Sequence, residues 1–297
     1  MSDLYTFFQT EKYARFTKET PYAFAGHSSI GVGGIAAAAF SPTTEEETVA
    51  LITALEQDGV PFHVLGNLTN VLPADGVSKR VVVSMKKLRG VQKNGNLLSV
   101  RAGTTAGALL AECKRLRLSG AEFLTGIPCT VGGALYMNAG VGGAYIGKIV
   151  ESVTALYDGQ IITLTQADCG YAYKHSAFMQ GGFVILRADL RLSNEKIEII
   201  QDRIRDFDER RKHLPKGKSM GCVFKNPKNA VAGRLIENAG LKGMRVGGAV
   251  VSREHANFII NDNHATARDI KKLIALVKNA VFAQYKINLE EEIRYLD

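Results

Sequence analysis

Residues 126–140 read GIPCTVGGALYMNAG, and the interpretation of the whole sequence starts from this stretch. From Gly126 to Gly147 the chain has seven glycines, which is typical of a loop. Glycine lets a backbone come close to a phosphate, and the N–H groups of such turns can bind an anion. No Gly-Lys-Ser/Thr follows, and the GxGxxG spacing before a helix is absent, so neither a P-loop nor a dinucleotide fingerprint is present. The stretch is therefore either a cofactor-contacting loop or an ordinary turn.

Hydrophobic periodicity on both sides of this stretch predicts a mixed α and β protein. Strands are expected at 35–40, 62–65, 81–84, 97–101 and 183–192, with a hairpin at 153–165 and further strands near 248–252, 257–260 and 289–296. Helices are expected after Ser41, from Thr105 to about Leu118, from Asn194 onward, at 233–239 and after Thr266. The strand at 62–65 runs into a second glycine-containing turn, Gly66-Asn67-Leu68-Thr69-Asn70. Two such turns in one domain support a cofactor site better than either does alone.

Composition and charge limit the class of protein. With 297 residues, of which 46% are hydrophobic and 22% charged, the chain is long enough for two domains and is not disordered as a whole. Of the net charge of +8, residues 196–297 carry +7, and Arg210–Lys228 contains seven basic residues and no acid. This cluster indicates either a small anionic ligand or a solvated loop. Nucleic-acid binding is disfavoured, because no recognisable module or set of stacking aromatics accompanies the cluster.

The cysteines and the N-terminus predict a cytoplasmic protein. The four cysteines, Cys113, Cys129, Cys169 and Cys222, lie far apart and form no CxxC or Cys/His metal pattern. The first residues, MSDLYTFFQTEKYARF, lack the basic start and long apolar core of a secretory signal. No apolar run approaches the roughly 20 residues that a membrane helix needs. We therefore expect a soluble protein with reduced thiols.

Three further segments contain residues of types that can act in catalysis or form ion pairs. Cys222 in GCVFKNP (221–227) is either a small buried residue or an acid or nucleophile beside Lys225. The tripeptide Lys174-His175-Ser176 does not predict a catalytic triad, because triad members converge from distant segments. Glu292 and Arg294 share one face of the predicted last strand, where a neutralised pair is the simplest interpretation.

Taken as a whole, the chain resembles the UDP-N-acetylenolpyruvoylglucosamine reductase (MurB) family. The resemblance rests on these segments in this order: HSSIGVGG, VLGNLTNVLPADG, FLTGIPCTVGGALYMNAG, YKHSAF, MGCVFKNP, RLIENAGLKG, HANFIIN and LEEEIRYL. It covers nearly the whole chain, and the set GIPxTVGGAxYMNAG, GxVFKNP and LExEIR is highly specific. Only a few residues separate Phe178 from Val184, without a tyrosine-bearing insertion, so the chain resembles the shorter of the two family types.

The resemblance implies an α+β fold. Residues 1–194 would form an FAD-binding domain of the vanillyl-alcohol-oxidase/PCMH type with two α/β subdomains, at about 1–62 and 63–194. Residues 195–288 would form an α+β substrate-binding domain, and residues 289–297 a C-terminal strand that returns to the flavin site.

The resemblance also implies a reaction. NADPH would reduce FAD and leave, and UDP-N-acetylglucosamine enolpyruvate would take its place and be reduced to UDP-N-acetylmuramate, a peptidoglycan precursor. NADPH and this substrate are the expected partners. Nucleic acid, membrane insertion and a metal are not expected, and the protein is expected to be a monomer.

Individual roles follow from the same resemblance. Reduction leaves an enolate-like negative charge beside the substrate carboxylate, so a cation must stabilise it and an acid must quench it. Cys222 stands where the family has its proton-donating serine, Lys174 where it has an arginine, and Glu292 matches the family's glutamate. The implied cofactor-binding residues are Gly66, Asn67, Leu68, Thr69, Asn70, Gly126, Ile127, Pro128, Thr130, Val131, Gly132, Gly133, Asn138, Ala139, Gly140, Arg210 and Arg294. The implied substrate-binding residues are Lys216, Lys218, Lys225, Asn226 and His255.

Four positions depart from the family pattern. A free thiol, with a pKa of about 8.5, gives up a proton more readily than an alcohol, so Cys222 suits the role of the serine. Lys174 keeps the charge of the arginine but loses its planar fork. Leu68 replaces a usual glycine, and Val141-Gly142-Gly143 replaces Ala-Tyr-Gly, which leaves Tyr145 as the substitute for a substrate-side tyrosine. The rival interpretations are an FAD oxidoreductase of another substrate and a flavin-binding homologue with weak or no catalysis.

Overall fold

The computed structural model describes residues 7–297. The prediction that the N-terminal stretch is not a secretory signal falls partly on residues 1–6, which lie outside the described residues. The chain forms two compact units of three segments each. Unit 1 comprises the residues up to Glu19, Ala39–Asn67 and Val81–Lys212, and unit 2 comprises Thr20–Ala38, Leu68–Arg80 and His213–Asp297. The domain boundaries implied by the resemblance stay a prediction.

The described chain mixes helices and strands throughout. The α-helices are Glu11–Ala14, Phe24–His27, Glu45–Gln57, Ala106–Leu116, Val131–Met137, Ile197–Arg211, Ala232–Asn238 and Ala267–Tyr285. Short 3-10 helices lie at Met85–Lys87, Glu122–Leu124, Ile146–Lys148 and Ala177–Gln180. Two-stranded ribbons pair Tyr22–Ala23 with Ile35–Ala36, Leu118–Ser119 with Ser193–Asn194, and Gly140–Val141 with Ala144–Tyr145.

Unit 1 contains two larger sheets. The antiparallel sheet has the order Gln160–Thr165, Val150–Tyr157, Phe183–Arg191, Leu97–Arg101, Val91–Asn94. The other has the order Lys18–Glu19, Ala39–Phe40, Val81–Ser84, Phe62–Leu65, and its last three strands are parallel. The predicted hairpin is confirmed, because Tyr157 pairs with Gln160 across Asp158 and Gly159, which both have positive φ.

Unit 2 packs two helices on one antiparallel sheet. The sheet has the order Ser219–Cys222, Phe258–Asn261, Ala249–Val251, Arg245–Val246. The helices Ala232–Asn238 and Ala267–Tyr285 share its core with Ile30 and Leu72 from the other two segments and with Ile293 from their own segment. Val71–Pro73 also pairs in parallel with Arg294–Leu296. All three segments of unit 2 therefore contribute to one hydrophobic core.

The helix Ala267–Tyr285 forms as its sequence predicts. Thr266 and Asp269 make a capping box, in which Asp269 N donates to Thr266 Oγ1 at 3.1 Å and Thr266 N donates to Asp269 Oδ2 at 3.0 Å. The carboxylate of Asp75 accepts from two further amides of the first turn, Ala267 N at 2.9 Å and Arg268 N at 3.0 Å. The predicted inward residues are all buried: Ile270, Leu273, Ile274, Val277 and Val281.

The predicted loop at 126–147 was wrong, because it contains the helix Val131–Met137. Thr130 caps this helix by accepting from Gly133 N at 3.2 Å. A Cβ on Gly132 would lie 3.0 Å from Ala102 Cβ, so glycine here permits close packing of a helix. The high glycine count reflected close packing as well as turns.

Other boundaries also differ from the predictions. The helix expected after Ser41 begins at Glu45 and is capped by Thr44, whose Oγ1 accepts from Glu47 N at 3.0 Å. The strand predicted at 35–40 is two strands, one in each unit. The helix predicted from Asn194 begins at Ile197, and the last strand is regular only at Arg294–Leu296. Strand ends depend on their pairing partners, which periodicity does not reveal.

Two features are absent from residues 7–297. No helix in this range is long and apolar enough to cross a membrane. No group of three or more His, Cys, Asp and Glu side chains in the same range is placed to hold a metal ion.

Candidate active site

The residues implied by the resemblance divide between the two units. Unit 1 holds Lys174, Gly66, Asn67, Gly126, Ile127, Pro128, Thr130, Val131, Gly132, Gly133, Asn138, Ala139, Gly140 and Arg210. Unit 2 holds Cys222, Glu292, Leu68, Thr69, Asn70, Arg294, Lys216, Lys218, Lys225, Asn226 and His255. The geometry of each set is described within its own unit.

In unit 1, the two glycine turns lie against each other. A Cβ on Gly66 would lie 2.3 Å from Thr130 Oγ1, a distance that side chains do not tolerate. Asn67 Nδ2 donates to Pro128 O at 3.1 Å. Any side chain at position 66 would therefore displace Thr130, which caps the helix Val131–Met137.

The first amides of that helix are used within unit 1. Val131 N donates to Thr104 O and Gly132 N to Ala102 O, both at 2.8 Å, and Gly133 N donates to Thr130 Oγ1. These amides are committed to the protein. Gly132 and Gly133 therefore do not offer anion-binding N–H groups.

In unit 2, the backbone amides of Leu68–Asn70 differ from the hydrogen-bonded amides of Val131, Gly132 and Gly133. The amides of Leu68, Thr69 and Asn70 donate to no acceptor among residues 7–297. Leu68 has a φ of 52°, the left-handed conformation that explains why a glycine is usual at this position. Consecutive amides beside a left-handed residue form a concave anion-binding arrangement.

Two arginines of the helix Ile197–Arg211 reach the loops of unit 1. Arg210 Nη1 lies 3.3 Å from the position that a Cβ on Gly142 would occupy, and its guanidinium lies over the ring of Phe207. Arg211 Nε lies 2.8 Å from the corresponding position on Gly126. The sequence pointed to Arg210 alone. The adjacent Arg211 was missed because the basic cluster did not distinguish its members.

Lys174 occupies the corner of a tight turn in unit 1. Ala172 and His175 exchange backbone hydrogen bonds at 3.1 and 3.2 Å across the turn, and Lys174 has a φ of 52°. Asn138, the buried C-terminal cap of the helix Val131–Met137, donates from Nδ2 to Ala172 O at 2.7 Å and accepts from Gly147 N at 3.0 Å. Asn138 therefore holds the Lys174 turn in place.

The neighbours of Lys174 do not form a triad. His175 Nδ1 lies 3.2 Å from Gly170 O, and Ser176 Oγ donates to Tyr136 O at 2.6 Å. Both side chains thus contact backbone carbonyls that anchor the turn. Tyr145, the alternative substrate-side tyrosine, is 37% exposed, and the ammonium of Lys148 lies 4.7 Å from its ring centre.

In unit 2, the backbone brings Cys222 close to Glu292. Cys222 is half-buried at the end of the strand Ser219–Cys222 and pairs with Phe258. The amide of Glu292 donates at 2.7 Å to the carbonyl of Val223, the residue after Cys222. Two residues later, Lys225 N donates to Glu290 O at 2.8 Å. The two sequence motifs that contain the implied acid and the glutamate are therefore adjacent, joined by an isolated antiparallel bridge between Phe224 and Glu291.

Asn70 ties the Glu292 strand to a second neighbour. Its Nδ2 donates to Glu292 O at 3.2 Å, and its carbonyl accepts from Arg294 N at 2.9 Å. Asn70 thus bonds the backbone on both sides of Ile293, through its side chain to Glu292 and through its carbonyl to Arg294.

The implied substrate residues lie along the same unit. Lys216 and Lys218 are exposed, and the stem of Lys218 lies against Gly31, where a Cβ would be 2.7 Å from Lys218 Cδ. Lys225 forms a 2.5 Å ion pair with Glu290. Asn226 Oδ1 accepts from Ala232 N at 3.0 Å, at the start of the helix Ala232–Asn238.

His255, the histidine among the implied substrate residues, has a lowered pKa. Burial lowers its pKa below the ordinary value, since the charged form loses hydration. Its Nδ1 accepts from Asn257 N at 3.2 Å, so the neutral ring carries its proton on Nε2.

The cysteines differ in accessibility. Cys113, Cys129 and Cys169 are buried, and burial raises their pKa values to about 12, about 12 and about 11. Cys222 is half-buried. Among residues 7–297, it is therefore the thiol most open to a ligand.

Two protein families match separate parts of the chain. Residues 20–165 match the FAD binding domain family, and residues 212–296 match the C-terminal domain family of UDP-N-acetylenolpyruvoylglucosamine reductase. The matches confirm the expected α+β fold with an FAD-binding domain.

Curated relatives match most of the chain. A UDP-N-acetylenolpyruvoylglucosamine reductase of Moorella thermoacetica is 40% identical over 270 residues, which cover 90% of this chain and 89% of that protein. One of Clostridium botulinum is 35% identical over 273 residues, which cover 91% and 89%.

Solved structures agree with these matches. The crystal structure of UDP-N-acetylenolpyruvylglucosamine reductase (MurB) from Thermus caldophilus has a TM-score of 0.83 and 35% identity, and covers 95% of this chain and 100% of that chain. A solvent-stable cholesterol oxidase has a TM-score of 0.50 and 16% identity over 62% of this chain and 39% of that one, which shows a shared fold alone.

Proposed function

Because the chain belongs to the UDP-N-acetylenolpyruvoylglucosamine reductase family, we propose that it reduces UDP-N-acetylglucosamine enolpyruvate to UDP-N-acetylmuramate for peptidoglycan synthesis, with NADPH as the reductant and FAD as the cofactor. The observation that carries this proposal is the 40% identity to such a reductase over nine-tenths of the chain. The hydrogen bond from Glu292 N to Val223 O, which brings the backbone of Glu292 next to that of Cys222, is the local feature that supports the same reaction.

The residues of both units suit FAD. Gly66 leaves a cradle that any Cβ would fill, and the unused amides of Leu68, Thr69 and Asn70 suit the oxygens of a pyrophosphate. Ile127, Pro128, Thr130, Ala139, Gly140 and Arg294 are proposed to complete the flavin-contacting set. When bound, FAD carries the two electrons from NADPH to the enolpyruvyl double bond.

Cys222 is proposed to donate the proton that completes the reduction. Hydride addition to the terminal CH2 carbon of the enolpyruvyl group makes it a CH3 group and leaves negative charge on the carbon beside the carboxylate. A proton from Cys222 Sγ forms the new C–H bond there, and the thiolate is reprotonated from solvent. The half-buried position of Cys222 supports this role, because a donor must both reach the substrate and exchange protons with water.

Lys174 and Glu292 are proposed to control charge around this step. Lys174 is held at a fixed turn by Asn138, which suits a cation that stabilises the enolate-like charge. Glu292 is proposed to orient the substrate beside Cys222, since the backbone bond to Val223 fixes its strand in register with the thiol.

The lysines of the basic cluster are proposed to bind the diphosphates. NADPH and the UDP-sugar both carry diphosphate groups, and the exposed Lys216 and Lys218 are free of acidic neighbours in the sequence from Arg210 to Lys228. Lys225, Asn226 and His255 are proposed to contact the sugar nucleotide, and Arg210 the flavin. This function accounts for the local excess of positive charge without a nucleic-acid partner.

We also propose that the protein acts in the cytoplasm as a monomer. Its buried thiols suit a reducing compartment, because oxidation would disrupt the packing around Cys113, Cys129 and Cys169. Light scattering of the purified protein at several concentrations would test the monomer.

The proposed function is tested with the purified protein. We expect a bound-flavin absorption spectrum, slow NADPH oxidation alone and fast NADPH oxidation after the UDP-enolpyruvyl sugar is added. Bound flavin without substrate-dependent NADPH oxidation would favour a non-catalytic homologue, and activity with another acceptor alone would favour a different oxidoreductase.

A further inference from the structure

The segment Cys222–Lys225 is held along both of its edges within unit 2. On one edge, Glu292 N donates to Val223 O, and Lys225 N donates to Glu290 O. On the other edge, Val223 N donates to Asn257 O at 2.8 Å. Each of these bonds fixes the backbone within three residues of the Cys222 thiol.

The side chain of Asn257 completes the second edge. Its Oδ1 accepts from Phe224 N at 2.9 Å, and its Nδ2 donates to Phe224 O at 2.8 Å. One carboxamide thus pairs with both backbone groups of one residue, as a neighbouring peptide group would in a sheet. The regular pairing between Cys222 and Phe258 ends here, and the asparagine side chain extends it by one residue.

Burial makes this pairing important. Asn257 is 4% exposed and Phe224 2% exposed, so the backbone groups of Phe224 have no water to replace a lost partner. A short turn holds Asn257 itself, since Ser252 Oγ accepts from His255 N at 3.3 Å and His255 Nδ1 accepts from Asn257 N at 3.2 Å. The turn therefore holds the backbone of Asn257, and the side chain of Asn257 in turn holds the backbone of Phe224.

We propose that Asn257 is a positioning residue for Cys222, acting through the backbone of Val223 and Phe224. This inference rests on the proposed function, in which Cys222 gives its proton to the reduced substrate. General acids work only within about 2.6–3.2 Å of the atom that they protonate, so a small shift of this strand removes the donor from reach. The sequence did not single out Asn257, because its partners are distant in the chain.

The test separates the two half-reactions of the flavin-loaded protein. We expect Asn257→Ala to leave the rate of flavin reduction by NADPH within about twofold of the unmodified protein. Flavin reoxidation by the UDP-enolpyruvyl sugar should slow by about tenfold or more, since general acid catalysis contributes about 10²–10⁴-fold. Its solvent deuterium isotope effect should rise, because proton transfer becomes rate-limiting. Asn257→Gln keeps both hydrogen-bonding groups on a longer side chain and should show an intermediate rate; it decides the question if Asn257→Ala does not fold.

A second readout does not depend on turnover. The alkylation rate of Cys222 by iodoacetamide in the folded protein reports the position of the thiol, because the other three cysteines are buried. We expect faster alkylation in Asn257→Ala, with Cys222→Ala as the blank. Val277→Ala is the matched control, since Val277 is a buried core residue of the same unit on the helix Ala267–Tyr285. Val277→Ala should lower the stability of the protein, but it should neither slow flavin reoxidation selectively nor speed the alkylation of Cys222.

Several outcomes would overturn the inference. Equal slowing of both half-reactions in Asn257→Ala, or the same pattern in Val277→Ala, would reduce Asn257 to a structural residue. An unchanged reoxidation rate would do the same. If the unmodified protein reduced its flavin with NADPH but did not reoxidise it with this substrate, the proposed function itself would fail, and the inference with it.

Discussion

The backbone amide of Glu292 donates to the carbonyl of Val223 at 2.7 Å. Because Val223 directly follows Cys222, this bond fixes the backbone next to the thiol against the backbone of Glu292, although their motifs lie far apart in the chain. Backbone hydrogen bonds thereby hold together the segments of the proposed proton donor and the proposed orienting carboxylate.

Replacement of the thiol should separate the two half-reactions. We predict that Cys222→Ala leaves flavin reduction by NADPH intact and slows reoxidation by the UDP-enolpyruvyl sugar by about 10²–10⁴-fold, the usual contribution of a general acid. Stopped-flow absorbance of the flavin measures both steps. Cys222→Ser, which restores a hydroxyl donor, is the control and should recover much of the rate. An unchanged reoxidation rate in Cys222→Ala would make Cys222 a packing residue.

A methyl group at Gly66 should weaken FAD binding. The added Cβ would lie 2.3 Å from Thr130 Oγ1, so Gly66→Ala must move the cap of the helix Val131–Met137. We predict that the dissociation constant of FAD rises by about tenfold or more, which corresponds to about 1.4 kcal/mol. Flavin fluorescence titration of the apoprotein measures it.

Gly107 provides the matched glycine control for this prediction. It lies in the helix Ala106–Leu116, and nothing lies within 4 Å of its added Cβ. Gly107→Ala should stabilise the protein by up to about 1 kcal/mol and leave FAD affinity unchanged. A loss of FAD affinity in both variants would indicate a general effect of glycine replacement.

Removing the charge of Lys174 should lower kcat/KM for the substrate. Lys174→Met keeps the side-chain length but leaves the enolate-like charge without its cation. We predict a fall in kcat/KM of about tenfold or more, because a hydrogen bond to a charged group contributes about 1.5–3 kcal/mol. Lys174→Arg should retain activity.

Lys148 supplies the control for the lysine prediction. It is an exposed lysine of the same unit whose Nζ donates to Gly143 O at 2.9 Å. Lys148→Met should leave steady-state kinetics near those of the unmodified protein. Equal losses in the two variants would show that the overall charge, and not Lys174, matters.

The stability of the protein should depend on pH through His255. Burial lowers the pKa of this imidazole, so the unfolded chain binds its proton more tightly than the folded protein. The resulting stability is fully present above the unfolded value of about 6.5 and is lost as the pH falls through the lower folded pKa. We predict that His255→Gln flattens the rise in the free energy of unfolding as the pH increases toward the unfolded value of about 6.5, measured by urea denaturation.

His213 is the reference histidine for this experiment. It is exposed, and His213→Gln makes the same chemical change at a surface position. If His255→Gln gave the same curve as His213→Gln, the buried imidazole would not be the source of the effect.

The sequence predicted most elements but not all of their boundaries. Thr266 and the apolar spacing after it defined a helix completely, because the cap and the buried face are both local signals. Val131–Met137 was missed because Gly132 and Gly133 are poor helix formers, and the packing against Ala102 that justifies glycine is a tertiary contact. The motifs for the candidate site were visible from the sequence, whereas the contacts of Asn257 with Phe224 and of Arg211 with Gly126 were not, since each joins residues distant in the chain.

The interleaving of segments in unit 2 has a consequence for recombination between genes. The stretch that matches the C-terminal family, residues 212–296, folds around Ile30 and Leu72 and takes the carboxylate of Asp75 onto its last helix. A crossover near residue 212 would combine residues 213–297 from one parent with the helix-capping Asp75 and the strand Val71–Pro73 from the other parent. We therefore expect exchange of this region between relatives to give a folded protein only when residues 20–38 and 68–80 are transferred with it, so that unit 2 is exchanged as a discontinuous block.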